Sequence, residues 1–150
     1  MTLEYYISID YGTLNPFSAG LWCVLGDKAV RIKEFYYNGR EKGKQRTDEE
    51  YCDDVESLAK GYNIRQVIVD PSAASFIAAL RKRGYSIRKA NNDVLDGIRR
   101  TAVYLKNGNI KVHRSCADSI SEFGLYRYGH KGKRPRYGRN PLFLQYGYEK

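Results

Sequence analysis

The sequence predicts an α/β protein with one mixed β-sheet, an antiparallel meander followed by alternating helices and strands, flanked by helices. Three β-branched and aromatic runs follow one another before any helical periodicity begins. From Thr47 onward, helical and strand patterns alternate. The first and fourth strands each end on an aspartate followed at once by turn residues. The chain has 150 residues, the length of one domain, and a chain of that size buries roughly 70% of its unfolded surface.

Residues 4–10, Glu-Tyr-Tyr-Ile-Ser-Ile-Asp, are the first strand, and Tyr11 to Pro16 form a turn punctuated by Gly12, Asn15 and Pro16. Ser18 to Leu25 is the second strand, Gly26-Asp27 a hairpin turn, and Ala29 to Tyr37 the third strand. These three strands are expected to form an antiparallel edge. Asn38 to Arg46 is polar and glycine-containing, and reads as a mobile loop. Thr47 then opens a helix. Thr47 and Glu50 have the spacing of a capping box, Asp48, Glu49 and Glu50 suit the positive helix end, and Tyr51, Val55, Leu58 and Ala59 form its apolar stripe up to Gly61.

Gln66 to Asp70 is a short buried-type strand, and Ser75 to Arg83 is a helix ended by Gly84. Ser86 to Lys89 is another strand. Asn92 or Asp93 caps a helix to about Lys106, with Val94, Ile98, Ala102 and Leu105 on one face. Asn107-Gly108-Asn109 turns into a strand at Ile110 to His113, and Ser115 caps a helix through about Phe123. No internal repeat is visible. This order of elements resembles the ribonuclease H-like fold.

Composition narrows the class. Hydrophobic residues make up 42% of the chain and charged residues 29%, as in ordinary globular domains. No apolar run approaches the roughly 18 residues of a membrane span, and Met1 is not followed by a signal-peptide core. The expectation is a soluble, cytoplasmic domain with no membrane partner. Cys23, Cys52 and Cys116 are widely spaced and form no C-x-x-C pair, so they read as reduced packing residues rather than a zinc site.

Charge is unevenly spread. The first 80 residues hold nine basic and twelve acidic side chains, a net of −3, while residues 81–124 and 125–150 contribute +6 each to the total of +9. A basic second half points to a polyanionic partner. The stretch 126–139 is the clearest case, since tyrosines alternate there with cations around glycines. Arg127, His130, Lys131, Lys133, Arg134, Arg136 and Arg139 would supply phosphate contacts, and the rings flat stacking surfaces. Arg81-Lys82-Arg83, by contrast, suits a solvated helix end.

Asp10 and Asp70 carry the chemistry. In open α/β sheets, ligands gather at the carboxyl ends of central strands, where both are expected. Two like charges buried together need a cation. Oxygen-only ligands favour Mg²⁺ or Mn²⁺, and two such ions can activate water and steady a leaving oxygen in phosphodiester hydrolysis. Taken singly, either aspartate fits a structural role, and Asp70-Pro71-Ser72 suits a helix start. Asp10-Tyr11-Gly12-Thr13 is also similar to the phosphate loop of the actin and sugar-kinase ATPases, but those need two such lobes. Gly39 to Gln45 lacks Walker A spacing, which excludes a P-loop ATPase.

Four motifs in register then resemble the nuclease domain of phage terminase large subunits. They are Ile9-Asp10-Tyr11-Gly12-x-x-Asn15-Pro16, Val67-Ile68-Val69-Asp70-Pro71-Ser72-Ala73, Asn92-Asp93-Val94-Leu95-Asp96-Gly97-Ile98, and Ile110-x-Val112-His113-x-x-Cys116. The resemblance runs from about residue 5 to residue 139, so residues 1–139 are read as the nuclease domain and 140–150 as an atypical tail. It implies a metal-dependent endonuclease that cuts concatemeric viral DNA during genome packaging in a bacterial host, with Asp10 and Asp70 as two catalytic metal ligands. The segment around His130 and Lys131 resembles the family's β-hairpin near the active site. The family's partners are implied too: double-stranded DNA, a small terminase subunit, a portal, and an ATPase motor domain that these 150 residues do not contain.

One departure from the family pattern matters. The family brings a third acid on an Asp-rich helix after a segment like Pro135 to Asn140, but this chain continues Pro141-Leu142-Phe143-Leu144-Gln145-Tyr146-Gly147, and no aspartate follows Asp118. Pro141 and Gly147 both oppose a helix there. Asp93 or Asp96 could substitute as a further metal ligand, although each also suits a helix start, and Glu149 is the remaining acid of the tail. Three readings therefore stand: a working nuclease, a catalytically impaired prophage remnant that only binds DNA, or another ribonuclease H-like enzyme such as a junction resolvase.

Overall fold

The computed structural model describes residues 2–12, 16–90 and 107–121. Among these, six strands form one sheet: β1 (Glu4–Asp10), β2 (Phe17–Leu25), β3 (Lys28–Tyr37), β4 (Ile64–Val69), β5 (Ile87–Lys89) and β6 (Ile110–Val112). Their order across the sheet is β5-β4-β1-β2-β3-β6. β2 is antiparallel to both β1 and β3, while β4 lies parallel to β1, β5 to β4, and β6 to β3. The meander is therefore not an edge, as its sequence implied. The short β6 caps β3, and the pairing of Ala29 with Ile110 closes a small apolar cluster with Trp22.

Strand alternation sorts the side chains. Ile7, Ile9, Phe17, Ala19, Leu21, Val67 and Val69 share one face and are fully buried. Against them pack α2 (Asp48–Ala59), through Tyr51, Cys52, Val55, Leu58 and Ala59, and α3 (Ala74–Lys82), through Phe76, Ile77 and Leu80. Each large apolar side chain buried this way contributes about 1.5–3 kcal/mol. α2 begins with the expected capping box: the Thr47 hydroxyl accepts from the Glu50 N–H at 3.1 Å, and the Glu50 carboxylate accepts from the Thr47 N–H at 3.2 Å.

The opposite face is polar although buried, with Ser8, Asp10, Ser18 and Arg31 all at most 8% exposed. A β-bulge sets its composition. The pairing of β2 with β3 slips between Leu21, opposite Lys33, and Trp22, opposite Arg31. That extra residue reverses the alternation, so Arg31 and Glu34, three apart, lie on the same face. Arg31 donates to Glu34 at 3.3 Å and to the Ala19 carbonyl at 3.4 Å. Gly20 makes room for it, since a Cβ there would stand 1.8 Å from a guanidinium nitrogen.

Two further expectations need correction. Residues 38–46 are not a featureless loop. They contain α1 (Gly39–Lys42), capped by the Asn38 side chain, which accepts from the N–H groups of Arg40 and Glu41. Nor does Ser115 cap the helix after β6. Its hydroxyl contacts His113 and the Ile32 carbonyl, and the helical turns span 117–121. The cap comes from β3 instead, where Glu34 accepts from the N–H groups of Asp118 (2.8 Å) and Ser119 (3.4 Å) and from the Ser119 hydroxyl (2.5 Å). The predicted helix from residue 92 to about 106, the basic stretch 126–139 and the tail lie outside the described residues.

Candidate active site

β1 and β4 are parallel neighbours, and Ile9 pairs with Val69. The next residue on each chain is an aspartate, so Asp10 and Asp70 emerge side by side at the carboxyl end of the sheet. Asp10 belongs to the polar face, together with its cross-strand partner Ser18. Asp10 is 8% exposed and makes no hydrogen bond or ion pair among the described residues. Burial, together with the charge of Asp70 beside it, pushes the Asp10 carboxyl up to about 7.

Asp70 is more open and has a second task. One of its oxygens accepts from the Ser72 N–H at 2.8 Å, and its carbonyl accepts from the Ala73 N–H, forming the turn into α3. The structural role foreseen for the Asp70-Pro71-Ser72 run is thus present, while α3 itself starts at Ala74, with Ala73 at its N-cap and no side-chain cap. The other oxygen makes no hydrogen bond among the described residues.

Tyr11, next to Asp10, was not singled out from the sequence. Its hydroxyl donates to Asp48 at 2.6 Å, and its ring packs edge-on against Phe17 and Tyr51. This ties the chain just beyond Asp10 to the first turn of α2. Only an aromatic residue directly after a strand-ending acid hinted at it in the sequence.

Two converging carboxylates, one of them buried and unpaired among the described residues, are a donor set for a hard divalent cation. Among the described residues no three His, Cys, Asp or Glu side chains gather into such a site. Asp93 and Asp96 lie outside those residues, as do Arg127, His130, Lys131, Lys133, Arg134, Arg136 and Arg139. Cys23, Cys52 and Cys116 are all free of disulfides. No described helix is long and apolar enough to cross a membrane.

No protein-family model and no curated protein matches the chain. Solved structures do. The large terminase of a thermophilic bacteriophage, determined in complex with ADP, is 44% identical over 82% of this chain, with a TM-score of 0.78. The chain is a relative of the phage large terminases. It spans about a third of the length of that relative, 31%. The P22 large terminase nuclease domain aligns over 83% of the chain and 68% of its own length, at 17% identity and a TM-score of 0.66. The nuclease of the large terminase from thermophilic phage G20c aligns over 99% of the chain and 83% of its own length, at 13% identity and a TM-score of 0.69. These two establish the fold, which is the ribonuclease H-like fold of terminase nuclease domains.

Proposed function

We propose that this terminase relative is a DNA endonuclease domain dependent on Mg²⁺ or Mn²⁺, which cleaves viral DNA during genome packaging. The observation that carries the reading is the convergence of Asp10 and Asp70 at the ends of adjacent parallel strands. A bound divalent ion there would supply an activated water and charge neutralisation at the phosphate. Asp10 and the second oxygen of Asp70 would hold it. The turn made by Asp70 and Ser72 fixes the angle of one carboxylate, and the anchor from Tyr11 to Asp48 fixes the backbone of the other.

By relationship, the partners are double-stranded DNA and an ATPase motor, with the small subunit and portal of a packaging machine in the bacterial cytoplasm. A relative solved with ADP supports the motor association. Nicking of supercoiled plasmid by the purified chain with Mn²⁺, Mg²⁺ or EDTA tests the reading. Metal-dependent nicking that disappears in Asp70→Asn is expected, and cutting that survives this substitution overturns it. A second reading, a remnant that binds DNA without cutting, is favoured by Pro141 and Gly147, which oppose a helix where the family pattern carries its third acid. Salt-sensitive DNA binding with no nicking in any metal is its signature.

A further inference from the structure

The first 80 residues are acidic overall, yet four of their nine cations fall between Arg40 and Arg46. The sheet decides where that cluster lies. β2 runs against both β1 and β3, so β3 points the same way as β1, and its end at Tyr37 lies at the same end of the sheet as Asp10 and Asp70. Two strand spacings, about 10 Å, separate β1 from β3. The segment leaving Tyr37 therefore starts at the same end of the sheet as the two carboxylates, two strands from Asp10 and three from Asp70.

This segment is built rather than slack. Asn38 caps α1, and Gly43, with φ of 65°, turns the chain back so that the Lys44 N–H meets the Gly39 carbonyl at 3.1 Å. The buried Tyr37 donates its hydroxyl to the Lys44 carbonyl at 2.5 Å, and a Cβ at Gly39 would crowd that carbonyl at 3.2 Å. Arg46 closes the base, 2.9 Å from Asp54 and over the Tyr37 ring. Arg40, Lys42 and Lys44 are left exposed, and none pairs with a carboxylate among the described residues. Lys42 rests 5.5 Å from the Tyr37 ring centre. On the other flank of the acids, exposed Lys89 ends β5, which is parallel to β4.

We propose that residues 38–46 are a phosphate-binding element, in which Arg40, Lys42 and Lys44 hold the backbone of duplex DNA across the carboxyl end of the sheet. This rests on the nuclease reading of the same sheet end and adds a second contact surface to the basic stretch 126–139. The acids repel the phosphates they must approach, and cations held at the same end of the sheet offset that repulsion at no cost in loop ordering.

The test is duplex binding by fluorescence anisotropy across a salt series, in the Asp70→Asn background so that the probe stays intact. The loop variant Arg40→Gln/Lys42→Gln/Lys44→Gln is compared with Lys60→Gln/Arg81→Gln/Lys82→Gln. The second set removes the same charge from the opposite end of the sheet, where α2 and α3 finish. Each phosphate that is no longer neutralised lowers the slope of log affinity against log salt by about 0.9. The loop variant is expected to lose about two to three from the slope and at least tenfold in affinity at about 0.1 M salt, and the control less than one. Equal losses in both variants, or an unchanged slope in the loop variant, overturn the proposal. If those results accompany metal-dependent nicking by the unsubstituted chain, the nuclease reading stands and only the loop assignment fails. If the parent binds no duplex, both fall. All six side chains carry surface charge, and matching unfolding curves show that each variant folds.

Discussion

Replacing Asp10 by asparagine should make the metal-free domain more stable, by an amount that grows with pH. The Asp10 carboxyl titrates at about 7 in the folded chain against 3.8 ordinarily, chiefly because it is buried and secondarily because Asp70 lies beside it. Between about pH 4 and pH 7 the unfolded chain has lost a proton that the folded chain keeps. Stability therefore falls as pH rises through that window and levels off above it. A gap of about three pH units, at 1.36 kcal/mol each, is worth about 4 kcal/mol at most. The asparagine amide would have the same shape as the carboxylate without its charge. Chemical unfolding in EDTA, followed by circular dichroism from pH 4 to pH 8, should show parent and variant within about 1 kcal/mol at the acid end. The variant should lead by about 2–4 kcal/mol at pH 8, roughly a 5–15 °C difference in Tm for a domain this size. Added Mg²⁺ should raise the stability of the parent at pH 8 and leave the variant nearly unmoved. A stability difference that is constant from pH 4 to pH 8 would refute the claim that a buried, repelled carboxylate is the cause.

Gly20→Ala should cost more than about 2 kcal/mol in urea unfolding, because the new methyl would displace the buried Arg31 guanidinium from Glu34. A loss under about 0.5 kcal/mol would show that Arg31 moves aside freely. Glu34→Ala removes the acceptor for Asp118, Ser119 and Arg31, so hydrogen exchange should rise across residues 113–121 before it rises in β1 or β4. Uniform loss of protection would count against a local latch. Thr47→Ala should destabilise by about 1 kcal/mol through loss of the capping box, with no change in any DNA-binding slope.

Much of the molecule was legible in the sequence because its signals are local. The Thr47 and Glu50 pair needs only a three-residue spacing to define a helix start, and the stripe from Tyr51 to Ala59 needs only a 3.6-residue period. Asp10 and Asp70 could be placed at strand ends by reading two apolar runs and the turn residues behind them. That they sit side by side followed from the topology implied by the order of elements, which the register of Ile9 with Val69 bears out.

Other features depend on what lies across a strand or beyond a turn, and no local pattern reports them. The position of Arg31 on the polar face requires a bulge, and a bulge exists only relative to a partner strand. The cap on residues 117–121 comes from Glu34, more than eighty residues earlier, so Ser115 was the natural but mistaken choice. Residues 38–46 look like any glycine-containing polar loop until Tyr37 is seen holding the Lys44 carbonyl. The sequence by itself determined the elements and the placement of the two acids at strand ends, because periodicity, capping and turn residues act within a few positions. Tertiary structure alone decided which distant side chains share a face and which loop leaves the same end of the sheet as the acids, because strand register and direction are set between segments rather than within them.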